Sequence, residues 1–263
     1  MTWNELTQLI EDYQSLALED HVDYEKFSMM SIVWHSTKIE GCSLTETETK
    51  VLLEQNITAG GKPLTDHLMV KDHYDAFLFI KEEAFKKRKF SVEFIQEINA
   101  AVMKHTGTVH NTVLGNFDAA KSDLRLLQVY VDKKYFPSYD KVPALLKEFC
   151  KAVNTRLEDV QGIDITKLAA DVHYNFVNIH PFVDGNGRTA RLLMNYILFY
   201  HNRPLLKIFT EDRVAYIDAL NETEEKEDLE IFRQFIAQQY SKFLELEIDK
   251  HQKLKNKRFM MMF

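Results

Sequence analysis

The chain has 263 residues, of which 45% are hydrophobic, and its 33 basic and 40 acidic side chains give a formal net charge of −7. That length and composition suffice for one large hydrophobic core or two small ones. The acidic balance argues against a general nucleic-acid-binding or anionic-membrane-binding surface, although a local basic pocket is compatible with it. We therefore expect a globular protein with neither nucleic acid nor a membrane as a partner.

The N-terminus and the cysteines indicate a compartment. No basic segment followed by an apolar one comes after Met1, and no apolar run approaches the length that spans a bilayer. Cys42 and Cys150 lie far apart and have no metal-ligating residues around them. This usage is typical of reduced thiols, so we expect a cytoplasmic protein.

The first part of the chain carries three helical patterns. Apolar residues recur at helical spacing over 3–13 and again over 24–40, where Gly41 suits the C-terminal cap. Ser43-x-x-Glu46 has the form of a capping box, which predicts the start of a third helix.

A loop at Gly60-Gly61-Lys62-Pro63 follows these helices. It predicts an N-terminal helical region at 1–62 and a larger domain at 63–263. Most of this second part also shows helical spacing, with Ser91 as the N-cap candidate of one helix.

The pattern changes before Pro137. Leu127, Val129 and Val131 alternate with Gln128, Tyr130 and Asp132, which is the period of a strand. Tyr135-Phe136 would form the returning strand. The predicted fold class is therefore all-α with one small β-hairpin.

Residues 180–191 read His-Pro-Phe-Val-Asp-Gly-Asn-Gly-Arg-Thr-Ala-Arg and join two apolar helical patterns. Pro181 should end the first helix, because the residue before a proline is pushed out of the α region. The second helix then begins directly after glycines. A helix N-terminus offers unpaired N–H groups to an anion, and glycine lets the ligand come close to the backbone. The run therefore predicts a phosphate site.

The side chains in this loop suit a nucleotide polyphosphate. Arg188 and Arg191 are three residues apart on one helix and could grip neighbouring phosphates. Asp184 supplies the hard oxygen ligand that Mg²⁺ takes beside substrate phosphates, and Asn186 can donate to a phosphate oxygen. His180 is suited to accept a proton near neutral pH. The glycine pattern also matches a dinucleotide-binding fingerprint, but that motif follows a strand and this one follows a helix.

The run resembles the HPFx[DE]GNGRxxR signature of the Fic (Fido) family at every defined position. The resemblance implies a Fic fold and the transfer of AMP from ATP, with Mg²⁺, to a hydroxyl side chain of a target protein. It makes His180 the general base and Asp184 the metal ligand. It assigns nucleotide binding to five loop residues, Gly185, Asn186, Gly187, Arg188 and Arg191.

An upstream segment, Ser36-Thr37-Lys38-Ile39-Glu40-Gly41, resembles the [ST]xxxE[GN] inhibitory motif of the same family. On the residues alone, Glu40 in the last turn of a helix opposes the helix dipole unless a cation faces it, and Ser36 shares its face. The resemblance implies that Glu40 pairs with Arg191 and obstructs the γ-phosphate. It also implies the class in which the inhibitory helix precedes the catalytic core.

We therefore predict a protein adenylyltransferase that is inhibited by its own Glu40. Its target would lie extended along the flap, which we define as residues 126–136, with a Tyr, Thr or Ser as the acceptor. The segment before the flap is unusual, because residues Gly115 to Arg125 replace the short glycine-arginine segment that precedes the flap in the family.

Two other functions stay open: an enzyme that removes AMP, with Glu40 orienting the water, and a nucleotide-binding regulator without catalysis. The target, the preferred base and the oligomeric state also stay open, a homo-oligomer included.

Overall fold

A computed structural model describes residues 1–17, 24–131 and 134–260 of the chain. Within these residues it has ten α-helices and two separate two-stranded antiparallel sheets. The helices are α1 Trp3–Ser15, α2 Tyr24–Ile39, α3 Glu46–Gln55, α4 Leu64–Phe85, α5 Val92–Met103, α6 Val142–Leu157, α7 Asp164–Ile179, α8 Asn186–Tyr200, α9 Arg213–Lys226 and α10 Leu229–Met260. The strands are β1 Val109–Thr112, β2 Gly115–Asp118, β3 Tyr130–Val131 and β4 Lys134–Tyr135.

Helix α8 is the centre of the fold. Every residue from Arg188 to Tyr200 is buried, because α2, α4, α5 and α7 surround this helix. A helix with apolar residues on all sides is stable only in such a position. The loop that joins α7 to α8 consequently lies at one end of the core, where rigid helices fix its position.

The N-terminal helices share the core with the rest of the chain. Leu6 of α1 and Val33 of α2 belong to the same cluster of buried residues as Leu192 of α8. Helix α2 packs on α4, and its C-terminal end reaches α8. The division at 62 stays a prediction.

Two predicted helix starts have different outcomes. The Ser91 hydroxyl accepts a hydrogen bond from the Phe94 N–H at 3.1 Å, which confirms Ser91 as an N-cap. The capping box predicted at Ser43 is wrong, because Thr45 and Glu48 form it instead. Ser43 gives its N–H to the Asp66 carboxylate at 2.7 Å, which holds it outside the helix. Both segments match the capping-box pattern, and this tertiary contact decides between them.

The all-α fold class is confirmed, together with the predicted hairpin. Strands β3 and β4 pair antiparallel, and the Phe136 N–H donates to the Val129 carbonyl at 3.3 Å beyond them. Residues 132 and 133 of the flap lie outside the described residues. The structure adds a second hairpin, β1–β2, where no strand was predicted. Its strands have four residues each, and Val113 and Leu114 at its tip are exposed, so it lacks a strong burial pattern.

Candidate active site

The loop between α7 and α8 begins with a backbone reversal at His180. This residue has φ 50° and ψ 59°, in the left-handed region, and its N–H still donates to the Phe176 carbonyl at 3.1 Å. Gly185, at φ 77°, makes the second reversal immediately before α8. A Cβ at that position would lie 2.7 Å from Nδ2 of Asn99, so the turn requires glycine there.

Asn186 closes the loop on itself. Its Oδ1 accepts the Phe182 N–H at 3.1 Å, and its Nδ2 donates to the Phe182 carbonyl at 2.8 Å. The side chain is 3% exposed. A phosphate contact from this amide stays a prediction, and the geometry gives Asn186 the role of fixing the loop shape around Phe182.

The two arginines of the motif are both buried. Arg188 donates to the Val102 carbonyl at 3.3 Å, and its Nη2 lies 3.6 Å from Oδ2 of Asp184. Arg191 reaches helix α2: its Nε donates to Oγ of Ser36 at 2.8 Å, and its Nη2 donates to the Ser36 carbonyl at 3.0 Å. The same Nη2 donates to Oε1 of Glu40 at 2.5 Å. The structure therefore brings Ser36, Glu40 and Arg191 together.

The Glu40 carboxylate lies against the first turn of α8. A Cβ on Gly187 would be 2.5 Å from Oε1 of Glu40, so only glycine leaves room for this approach. Burial acts to raise the pKa of Glu40, but attraction to Arg191, with Arg188 and Arg213 as further cations, lowers it overall. An ionised carboxylate thus occupies the place at the helix N-terminus where the sequence predicts a phosphate.

Arg213, at the start of α9, supports this arrangement. Its Nε donates to the Ile39 carbonyl at 2.9 Å. Ile39 is the last residue of α2, so the contact satisfies a carbonyl that the helix itself leaves unpaired. It also fixes the backbone directly before Glu40.

The His180 imidazole faces the flap. Its ring stacks on Phe136, with ring centroids 4.0 Å apart and an interplanar angle of 26°. Burial lowers the pKa of His180 to about 4, an effect that Arg125 and Lys134 reinforce. The imidazole is therefore neutral at pH 7 and can accept a proton.

A cleft of about 830 Å³ joins these groups. Its lining includes Glu40, Gly187 and Arg191 together with side chains of α9. The α9 part of the lining is apolar at Ile217 and Leu220 and polar at Asn221 and Glu224. Among the lining residues, Nζ of Lys134 on the flap lies 2.6 Å from the Glu224 carboxylate on α9. The volume and the mixed lining suit a nucleotide.

Comparison with known proteins agrees with this geometry. The family model described as "Fic/DOC family" matches residues 89–198. The chain is 30% identical over 214 residues to "Protein adenylyltransferase Fic" of Drosophila erecta, a match that covers 81% of this chain and 41% of that protein. The protein of the same name from Drosophila melanogaster is 32% identical over 215 residues, with the same coverage. The chain thus spans less than half the length of these relatives.

Solved structures share the fold. A Fic-domain-containing signalling protein from Bacteroides thetaiotaomicron superimposes with a TM-score of 0.78 at 25% identity, covering 92% of this chain and 95% of that one. Fic-1 from C. elegans gives a TM-score of 0.77 at 26% identity, covering 95% of this chain and 72% of that one. Residues 89–198 form a domain of the Fic/DOC family.

Asp184 has a distinct position in this Fic protein. Its side chain is 67% exposed, and its Oδ1 accepts the Gly185 N–H at 2.5 Å. In the described part of the chain, no three His, Cys, Asp or Glu side chains lie close enough to bind a metal ion together. A cation held by Asp184 would consequently need substrate oxygens and water as its other ligands, which is the usual situation of Mg²⁺ beside phosphates.

The motif did not identify three residues that hold parts of this site in place. Asn99 of α5 donates to the Asp184 carbonyl at 3.3 Å and to Oγ1 of Thr189 at 3.0 Å. Arg125 and Arg213 bind main-chain carbonyls near the two ends of the site. Each is a single polar residue without a spacing pattern, so only the fold could reveal its role.

Proposed function

We propose that this Fic protein transfers AMP from ATP to a hydroxyl side chain of a target protein, and that Glu40 inhibits the reaction in the same chain. One observation carries the proposal: an ionised carboxylate from α2 lies at the start of α8, bonded to Arg191, inside a nucleotide-sized cleft that also contains His180. The names of the Drosophila relatives support AMP transfer as the reaction.

The geometry suggests how the residues divide the chemistry. The target hydroxyl attacks the α-phosphorus of ATP, the bond to the β-phosphate breaks, and pyrophosphate leaves. Neutral His180 accepts the hydroxyl proton, because its lowered pKa keeps it unprotonated at pH 7. Arg188, Arg191 and the N–H groups at the start of α8 neutralise the phosphate charge, and most of the rate comes from this positioning.

Asp184 fits the metal role that the family implies. It presents an exposed carboxylate oxygen beside Arg188, at the edge of the phosphate site. Mg²⁺ in nucleotide sites commonly takes one or two carboxylates and completes its shell with phosphate oxygens and water. When bound there, Mg²⁺ would supply charge neutralisation between phosphates. Asp184 would be its protein ligand.

Inhibition follows from two effects of Glu40. Its carboxylate occupies the space against Gly187, where a phosphate oxygen would have to lie. It also engages Nη2 of Arg191, which would otherwise bind the γ-phosphate. A triphosphate entering this cleft meets a negative charge and lacks its arginine, so its α-phosphorus is not presented to the acceptor.

The flap is the proposed docking surface for the target. It is a two-stranded sheet, so an added strand could pair with one of its edges through main-chain hydrogen bonds. Tyr130 and Tyr135 form a cross-strand pair and are 67% and 75% exposed. They would cover the target backbone without requiring a specific sequence.

Labelled ATP tests the reaction type. With ATP labelled on the α-phosphate we expect label on protein, and with ATP labelled on the γ-phosphate we expect none, because the bond that breaks joins the α- and β-phosphates. The measurement is gel autoradiography of the Glu40→Gly protein in a host lysate. Label from the γ-phosphate alone would indicate a kinase. No label from either, with ATP still bound, would favour a nucleotide-binding regulator.

Asp184→Ala tests the metal ligand. We expect it to weaken the binding of ATP in the presence of Mg²⁺ and to leave metal-free AMP binding nearly unchanged, because the carboxylate serves only a cation that bridges phosphates. Calorimetric titrations of the Glu40→Gly protein with and without Mg²⁺ give both affinities. Asp159→Ala is the control, because Asp159 is exposed between α6 and α7 and is not among the residues that line the cleft. Equal losses with and without Mg²⁺ would contradict the assignment.

A further inference from the structure

Arg125 is buried without a counter-ion among the described residues. It is 1% exposed, and in the part of the chain that the structure describes no carboxylate forms an ion pair with it. Its guanidinium donates to three carbonyls instead: Nε to His180 at 2.8 Å, Nη1 to Leu127 at 2.8 Å and Nη2 to Pro137 at 2.5 Å. Its own backbone N–H donates to the Pro181 carbonyl at 3.1 Å.

Such a site is costly to build. Burying a charge is unfavourable unless hydrogen bonds satisfy all its donors, and an apolar side chain of similar size would pack there at lower cost. A guanidinium differs from every other side chain in its rigid planar set of donors, which point in fixed directions. Hydrogen bonds to one guanidinium therefore restrict the carbonyl oxygens of Leu127, Pro137 and His180 to positions near its plane.

The acceptors are not a random set. Leu127 and Pro137 flank the strands of the flap, and His180 is the proposed base. His180 has a left-handed backbone, a conformation that residues other than glycine adopt uncommonly. Arg125 donates from its side chain to the His180 carbonyl and from its backbone to the Pro181 carbonyl, and both bonds support this conformation. Phe136, which stacks on the His180 ring, directly precedes Pro137. Arg125 thus fixes both members of that stack.

We propose that Arg125 is a positioning residue that sets the distance between the flap and His180, and through it the distance between the target hydroxyl and the base. The inference rests on the proposed function, because the flap is where the target would lie. A displacement of about 1 Å at a reacting centre can cost on the order of 10²-fold in rate. A side chain that never touches the substrate would therefore control transfer to protein.

The test uses Arg125→Lys and Arg125→Gln in the Glu40→Gly protein. Lysine keeps the charge with one donor group, and glutamine keeps two donors without the charge. Any loss of stability would therefore have a different cause in each variant. Arg233→Lys is the matched control, because Arg233 bonds to Asp171 on α7, outside the residues that line the cleft. Thermal unfolding shows which variants are folded.

Three quantities are measured on the folded variants. We expect protein labelling from α-labelled ATP to fall by on the order of 10²-fold. We expect the dissociation constant for ATP with Mg²⁺ to stay unchanged, because the phosphate site does not involve Arg125. The NMR titration midpoint of His180, assigned against His180→Ala, should rise toward the ordinary histidine value as Phe136 loses its place over the ring. Arg233→Lys should change none of the three.

Labelling and a His180 midpoint that both match the parent in a folded Arg125 variant would overturn the proposal. Loss of ATP binding in parallel with labelling would also overturn it, since Arg125 would then act on the nucleotide site. If the Glu40→Gly parent itself labels nothing, the proposed function fails. The titration of His180 would then still test the Arg125 inference, because this measurement needs neither ATP nor a target.

Discussion

Glu40→Gly is expected to increase AMP transfer by on the order of 10²-fold, because it restores the alignment of the triphosphate at the reacting centre. The change removes a negative charge from the space against Gly187 and frees Nη2 of Arg191 for the γ-phosphate. Self-modification with α-labelled ATP measures the increase without knowledge of the target. The rate of labelling should rise while the amount of folded protein stays the same.

Two further variants separate the effects of charge and contact. Ser36→Ala removes an acceptor from Nε of Arg191 but leaves the carboxylate, so its increase should be much smaller. Arg191→Ala combined with Glu40→Gly should cancel the gain, since both changes act on one contact. Removal of AMP as the activity predicts a different result. If Glu40 orients the water that removes AMP from a modified target, Glu40→Gly abolishes that removal. A protein in which neither transfer nor removal responds to Glu40 would contradict the inhibitory role.

His180→Ala is expected to reduce transfer in the Glu40→Gly protein by about 10²- to 10⁴-fold, the usual contribution of a general base. ATP binding should be largely kept, because the imidazole stacks on Phe136 and the phosphate contacts come from the loop and α8. Single-turnover labelling and a nucleotide titration measure the two quantities. His110→Ala, on the β1–β2 hairpin, is the control. Transfer by the His180→Ala variant at the rate of its Glu40→Gly parent would contradict the assignment of the base.

The pH dependence follows from the direction of the shift. A lowered pKa favours the neutral imidazole, so the base stays unprotonated across neutral pH, and the rate should fall only as the pH approaches about 4. The same shift affects stability. At pH values between the lowered pKa of His180 in the folded protein and the ordinary pKa of histidine, the unfolded chain binds a proton at this residue and the folded protein does not. As the pH falls through that interval, His180 therefore lowers the free energy of unfolding.

The sequence was most informative where several chemical groups occur in one short run. From the sequence alone, the motif from His180 to Arg191 correctly predicted the helix–loop–helix and the family. The Ser36 and Glu40 motif led to a contact with Arg191 that spans 151 positions. Single residues gave no such signal. Arg125 stands alone in an irregular segment, and its role depends on carbonyls that the fold brings together.

Misses in local structure have a similar cause. The capping-box pattern occurs twice within three residues, and only the contact from Asp66 to Ser43 shows which copy begins α3. The β1–β2 hairpin was not predicted because its short strands have one buried apolar residue, Phe117, and therefore no alternation. Asn186 has a phosphate role by resemblance, yet its amide is engaged with Phe182, a contact that sequence spacing could not reveal.

In the proposed inhibition, the location of α2 and α8 in one chain sets the free-energy cost that ATP would meet in displacing Glu40. Because Glu40 and Arg191 belong to one polypeptide, their association is a unimolecular event, and tethered groups of this kind commonly meet at effective concentrations in the millimolar range. Packing of α2 against the core raises this effective concentration further, because α2 has little conformational entropy left to lose when the Glu40 carboxylate binds Arg191. Dilution of the protein therefore leaves the carboxylate in place. Relief of the proposed inhibition would therefore have to come from a change at the contact between α2 and α8.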